Sequence, residues 1–172
     1  HWAESYVKAL YKDGIVSGIT ETQFGPDLSM KRCDFVLMLY RAAGSPSVSE
    51  GAGFADVPDS AYYASAVAWA YANGITEGKG EGLFAPQDTL TRQEGFTFLY
   101  RALKTLGVSY TDADASLLSR FPDAASVASW AQTPTATLIS LGIVDGSDSG
   151  LAPAGSLTRA QMAKMLQMAR EM

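Results

Sequence analysis

Apolar residues recur along the chain at helical spacing. Phe96, Leu99, Tyr100 and Leu103 fall at i, i+3, i+4 and i+7, which predicts a helix with one stripe turned to a core. Phe35, Met38, Leu39 and Ala42 carry the same stripe earlier, and Met162, Met165, Leu166 and Ala169 carry it later. Val67, Ala70 and Tyr71 mark a further helix over 62–73. Asn73-Gly74 ends it, because glycine takes the left-handed cap conformation at low cost. Thr91 with Glu94, and Thr158 with Gln161, have the spacing of capping boxes and place two helix starts. Between the two helices of residues 62–103, a Gly-rich loop over 76–88 turns the chain back, anchored by Phe84 and Pro86.

The pattern occurs three times. Gly14-Ile15, Gly74-Ile75 and Gly142-Ile143 each precede a second glycine, Gly18, Gly78 or Gly146. An aromatic residue lies twelve positions before each first glycine: Trp2, Tyr62 and Trp130. Pro26, Pro86 and Pro153 lie six positions before Arg32, Arg92 and Arg159. The register slips by one residue, in the third loop between Gly146 and Leu151. Each unit therefore reads helix, loop, helix, with repeats over 1–44, 54–107 and 121–172. The segments 45–53 and 108–120 read as linkers, with a short helix expected within 112–119. One unit of about fifty residues buries too little surface to stand alone. The expected architecture is all-α, mainly helical with short irregular loops, the three units packed with pseudo-threefold symmetry on a shared helical core. An open solenoid is the alternative, weakened by the lack of a polar capping repeat.

Composition narrows the chemistry. The 172 residues carry a net charge of −5, and mean hydropathy is +0.02. No broad basic footprint for nucleic acid exists, and no apolar run reaches the ~20 residues of a membrane span. No basic segment followed by an apolar stretch reads as a signal peptide, and the chain opens at His1 within an apparent helix, which reads as a fragment. His1 is the lone histidine, so a His-based triad or general base is excluded in practice. Cys33 alone forms neither an internal disulfide nor a cysteine metal site, and it reads as packing. Asp145, Asp148 and Gly150 lack the ligand set of a calcium loop and read as a turn. Asp112 and Asp114 sit in a polar stretch unsuited to a glycosidase pair. Trp69 is expected in the core. Arg41 and Arg101 are expected to complement helix C-termini. No enzyme, cofactor or metal is expected.

The arginines are harder to place. Arg92 and Arg159 follow the capping threonines, at the first helical position, where the helix dipole favours a carboxylate. Arg32 repeats the position. Two accounts are open. Each arginine pairs with an acid such as Asp56, Asp59 or Asp123, or its planar fork joins the free N–H groups of the helix start to hold an external anion.

An aromatic at a helix start, Gly-Ile-x-x-Gly, Phe-x-Pro and Thr-Arg-x-Glu, together with the lead-in Phe54-Ala55-Asp56-Val57-Pro58, resemble the S-layer homology domain in three tandem copies, over nearly the whole chain. The resemblance implies a three-lobed prism around a helical bundle. It implies a non-covalent anchor for a secreted bacterial surface protein, on the cell wall or surface layer. The implied partner is an anionic secondary cell-wall polysaccharide bearing pyruvate ketals, held in grooves between lobes. Arg32, Arg92 and Arg159 would meet the carboxylate, and Trp2, Tyr62 and Trp130 the sugar faces. Gly18, Gly78 and Gly146 would let backbone approach the sugar. A structural module in which the arginines close salt bridges between repeats is the alternative, and internal symmetry makes a monomer the default. The first repeat lacks its lead-in and has Lys31 in place of the threonine, leaving open a helix start at Ser29 and an altered anion site. Tyr62 is the smaller aromatic, expected to stack more weakly. In the third repeat Gln161 replaces the acid.

Overall fold

The structure is a computed structural model that describes residues 1–172. It holds six α-helices: α1 Glu4–Lys12, α2 Arg32–Ala42, α3 Ala64–Ala72, α4 Arg92–Ala102, α5 Ser129–Ser140 and α6 Arg159–Arg170. Short 3₁₀ helices cover Ala115–Arg120 and Ala124–Ser126, the first close to where the second linker was expected to turn helical. There are no strands, and pairing is confined to isolated bridges, so the fold is all-α.

Local chemistry sets the helix ends. Both expected capping boxes form, with Glu94 N–H donating to the Thr91 hydroxyl at 3.3 Å and Gln161 N–H to the Thr158 hydroxyl at 3.2 Å. In the first repeat α2 starts at Arg32 rather than Ser29, with Lys31 at the N-cap and no side-chain capping bond. The neighbouring repeats fix that start, as shown below. After α1, α3 and α5 the chain closes through Gly14, Gly74 and Gly142, at φ of +70°, +67° and +73°. Ile15, Ile75 and Ile143 N–H donate back to Leu10, Ala70 and Leu138 carbonyls at 2.9, 2.8 and 2.9 Å, completing the Schellman pattern. The buried isoleucines re-enter the core.

Packing runs across the repeat boundaries. Helix α3 lies on α2, α5 on α4 and α1 on α6, so each first helix covers the second helix of the preceding repeat and the last pair closes the ring. Arg170 and Asp13 bridge that closure at 2.7 Å. The ring rules out an open solenoid. At the centre, three extended residues form a cycle of backbone bonds. Met30 N–H donates to Leu157, Leu157 to Leu90 and Leu90 to Met30, at 2.7, 3.0 and 2.8 Å. All three side chains are fully buried, and α2 packs on both α4 and α6 beside them.

One stripe is wider than the sequence pattern shows. The expected stripe is buried at Phe96, Leu99 and Leu103, with Tyr100 partly buried against the core, but α4 also buries Gly95, Phe98 and Ala102. Counting from the arginines, Gly95 occupies the position of Phe35 and Met162. A side chain there would meet Leu157 Cδ2 at 2.5 Å and Phe35 Cε1 at 3.7 Å. Leu157 and Phe35 fill the axis, and the glycine leaves room for them. Phe96 packs instead under the Arg92 guanidinium. Trp69 is buried against Tyr40 as expected.

Candidate functional site

The N-terminal tips of α2, α4 and α6 are closed by protein. Arg32, Arg92 and Arg159 N–H donate to the carbonyls of Asp88, Gly155 and Leu28 at 2.9, 2.8 and 2.9 Å. The next N–H groups, of Cys33, Gln93 and Ala160, donate to Pro86, Pro153 and Pro26. Each acceptor belongs to the loop of another repeat. The first two helix-start N–H groups of each helix, which one of the two sequence accounts assigned to an external anion, are therefore already bonded. Their donors are spent on joining the repeats.

The arginine side chains follow the same cycle. Arg32 Nε donates to Phe84 O at 2.9 Å, Arg92 Nε to Leu151 O at 2.8 Å and Arg159 Nε to Phe24 O at 2.9 Å. Each guanidinium also lies over an aromatic ring: Phe84 and Phe98 for Arg32, Phe96 for Arg92 and Phe24 for Arg159, 4.5–5.1 Å from the centroids. No motif arginine is ion-paired with Asp56, Asp59 or Asp123, and Arg92 and Arg159 have no ion pair, so the account of pairing with an acid of a neighbouring repeat holds for Arg32 alone. The ion pair that does form is Arg32 Nη1 to Glu94 Oε1, at 3.4 Å.

Asp56 and Asp123 hold the loops that accept the arginines. Asp56 takes Phe84 and Ala85 N–H at 2.9 and 2.7 Å, and Asp123 takes Leu151 and Ala152 N–H at 2.8 and 2.7 Å. Ala85 and Ala152 sit at φ of +58° and +48°, strained for an alanine and held by these carboxylate bonds. Burial alone would raise the Asp123 pKa. Its bonds to backbone N–H groups and the nearby Arg92 outweigh that and hold it below the ordinary carboxylate range.

Three surface grooves line up with this frame, each built from all three repeats. The first, of about 320 Å³, joins Trp2 of the first repeat, Arg92 of the second, and the 143–145 loop with α6 of the third. The second, of about 460 Å³, joins Trp130, Arg32, and the 76–79 loop with α4. The third, of about 260 Å³, joins Tyr62, Arg159, and the 17–19 loop with α2. Trp2, Trp130 and Tyr62 are exposed at 56%, 49% and 65%, apolar faces presented to solvent beside cations. No arginine shares a groove with the aromatic of its own repeat.

The glycines answer first to the fold. A side chain on Gly146 would lie 2.0 Å from Phe121 Cε1, and one on Gly78 would lie 2.6 Å from Phe54 Cε1. One on Gly18 would meet Thr20 O at 2.2 Å. Gly18 and Gly78 line the third and second grooves. Gly146 lines a neighbouring cleft instead, which shares Arg92, Asp145 and Gln161 with the first groove.

Several groove residues escaped the sequence reading. Helices α2, α4 and α6 present Asp34, Glu94 and Gln161 two positions after each arginine, and Leu37, Thr97 and Lys164 five positions after it. That recurrence is the signal that could have found them. Arg41 and Arg101 line the third and second grooves as well as reaching the Ile15 and Ile75 carbonyls, at 3.5 and 3.3 Å. Tyr62 donates to Asp34 at 2.5 Å. Burial first, then that bond, pushes its pKa upward, so the phenol stays a neutral donor. Cys33 is buried, and burial raises its pKa to about 11, as fits a packing thiol.

The sequence model of the S-layer homology domain matches residues 1–36, 53–94 and 120–163. Among curated proteins the chain is 33% identical, over 96% of its length, to "Exoglucanase XynX" of Acetivibrio thermocellus. It is 32% identical over 96% to "Amylopullulanase" of Thermoanaerobacterium thermosulfurigenes. It is 29% identical over 94% to "Surface-layer 125 kDa protein" of Lysinibacillus sphaericus. The match spans 15%, 9% and 13% of those three proteins.

Proposed function

The chain belongs to the S-layer homology domain family, and from that premise we propose that it anchors its parent protein non-covalently to the bacterial cell wall. The ligand in this reading is an acidic, pyruvylated secondary cell-wall polysaccharide. Trp2, Trp130 and Tyr62 offer stacking faces to the sugar rings, and Arg92, Arg32 and Arg159 supply cationic forks beside them. The observation that carries the reading is the threefold recurrence of an exposed aromatic beside a guanidinium in a groove. Gly18 and Gly78 shape the floors of two grooves and Gly146 the cleft next to the first. The module itself is non-catalytic, and any chemistry of the parent lies in other segments. No helix is long and apolar enough to cross a membrane.

The repeat units we propose are 1–44, 54–107 and 121–172, supported by the three family-matched segments. A monomer displayed outside the cell at the wall is the working form. A structural role for the arginines has its own support in their Nε bonds between repeats. The two roles coexist, because a guanidinium has five N–H donors and the Nε bond uses one.

The test is sedimentation with purified walls. The chain is expected to pellet with walls carrying pyruvate ketals and to stay soluble once mild acid has removed the ketals. The Trp2→Ala and Arg92→Ala variants, folded by circular dichroism, should pellet less. Equal pelleting with and without the ketals would overturn the acidic-ligand reading.

A further inference from the structure

The three arginines share a motif position but differ in what their outer nitrogens do. Arg32 is 2% exposed, and its Nη1 lies on Glu94. The same Glu94 oxygen accepts Lys79 Nζ at 2.8 Å. Arg159 is 8% exposed, its Nη2 is bonded to Ser17 O at 2.8 Å, and its groove holds the carboxylate of Asp34. Arg92 is more exposed than either. Beyond its Nε bond to Leu151, its side chain makes no hydrogen bond to protein, so both Nη groups are free, and Asp123, which acts on it through space, spends its carboxylate on Leu151 and Ala152 N–H.

The residue two positions after each arginine faces a groove and is Asp34, Glu94 or Gln161. Glu94 stands in the Arg32 groove, Asp34 in the Arg159 groove, and Gln161 in the Arg92 groove. Gln161 spends its carbonyl oxygen on Thr158 N–H at 3.1 Å, and its amide nitrogen makes no hydrogen bond to protein. The one acid lining this groove, Asp145, is paired with Lys164 at 2.6 Å and not with Arg92. A carboxylate entering here meets an open guanidinium fork and a neutral amide donor. In the second groove the equivalent place is already held by a carboxylate of the protein.

We propose that the grooves are not equivalent: the Trp2/Arg92 groove alone receives the ligand's carboxylate, Gln161 is the residue that makes it so, and the other two grooves receive uncharged sugar. This rests on reading the grooves as glycan sites. A resident acid repels an incoming one; Glu94 takes one Arg32 donor and the Ser17 carbonyl one Arg159 donor, whereas the Gln161 amide keeps the capping geometry without the charge. Glu94 and Gln161 form the same capping box in this chain, so exchanging Gln and Glu at either position keeps the cap, while Glu94→Gln also gives up the ion pairs with Arg32 and Lys79 and is checked for folding by its melt.

The test uses a methyl glucoside carrying a 4,6-linked pyruvate ketal, and the methyl ester of that ketal, which has nearly the same shape without the charge. Indole N–H signals in ¹⁵N NMR report the grooves separately, Trp2 for the first and Trp130 for the second, with buried Trp69 as internal reference. The charged probe should move Trp2 first. Gln161→Glu should weaken it at least about tenfold and leave the ester's affinity unchanged. Glu94→Gln should bring Trp130 into the charged probe's response at comparable concentration. Equal affinity of Gln161→Glu and wild type for the charged probe, or Trp130 moving first in the wild type, would overturn the inference while leaving the anchor reading standing. No response to either probe, together with no pelleting on native walls, would remove both.

Discussion

Arg32, Arg92 and Arg159 occupy one motif position, yet their removal is expected to cost the fold very different amounts. Arg32 is almost fully buried, and truncating it to alanine leaves the Phe84 carbonyl without its 2.9 Å donor. It also strips Glu94, whose side chain is 15% exposed, of one of its two cations, and it opens the space between the Phe84 and Phe98 rings. Removing one partner of a buried ion pair costs about 3–5 kcal/mol. Arg92→Ala loses one bond to a carbonyl and one ring contact at a partly exposed site, about 1–2 kcal/mol. For a domain of this size each kcal/mol moves Tm by about 2–4 °C. Arg32→Ala should therefore melt about 10 °C below wild type and Arg92→Ala about 5 °C below, with Arg159→Ala between them. Wall binding should rank the other way, Arg92→Ala losing most among the folded variants. Thermal melts followed at 222 nm, run beside the wall pelleting, read both orders. An Arg32→Ala melt within about 3 °C of wild type, or an Arg92→Ala melt as low as that of Arg32→Ala, would refute the division between buried staple and open fork.

Gly146→Ala should destabilise by about 1–3 kcal/mol, because its new methyl would lie 2.0 Å from Phe121 Cε1. The added Phe121→Ala change should make the pair strongly non-additive, and additive melts would show that the contact is not the reason for the glycine. The acid limb should depend on Glu94. Burial alone would raise its pKa, but Lys79 and the Thr91 cap outweigh burial and hold it below its ordinary 4.5. Its stabilising contribution is therefore complete above pH 4.5 and lost as pH falls through the lower folded value. Glu94→Gln should flatten the fall in Tm below about pH 4.5, and an unchanged acid limb would count against that assignment.

Much of the fold was written in local pattern. Capping boxes, glycine stops and apolar stripes depend on residues within one turn of each other, and spacing alone reveals them. The stripe of α4 is buried at Phe96, Leu99 and Leu103, but its axial side was missed, because large side chains mark a stripe in sequence, whereas Gly95 faces the axis where Leu157 and Phe35 supply the volume. The start of α2 was hidden for a related reason. Lys31 makes no cap, and the start is fixed by the Asp88 and Pro86 carbonyls of the second repeat. The motif aromatics and arginines were visible, but not their company. A reader of one repeat joins Trp2 to Arg32, while the ring of helices brings Trp2 to Arg92 and Trp130 to Arg32.

That exchange of partners explains why the repeat count matters to the chemistry. A groove needs an aromatic from one unit, an arginine from a second, and a loop and helix from a third, and a cycle of three is the smallest closed set that supplies this everywhere. The same cycle resolves the unfavourable placement of a cation at a helix start. The dipole penalty is at most about 1 kcal/mol at a surface site. The backbone carbonyls of Phe84, Leu151 and Phe24 lie against the guanidinium groups, and an aromatic face underlies each one. Arginine is tolerated at the helix tip because a neighbouring repeat surrounds it with acceptors. Having been placed there to hold the ring closed, it stands at the edge of a groove, and Arg92 keeps both outer nitrogens unbonded to the chain, where Glu94 takes one from Arg32 and the Ser17 carbonyl one from Arg159.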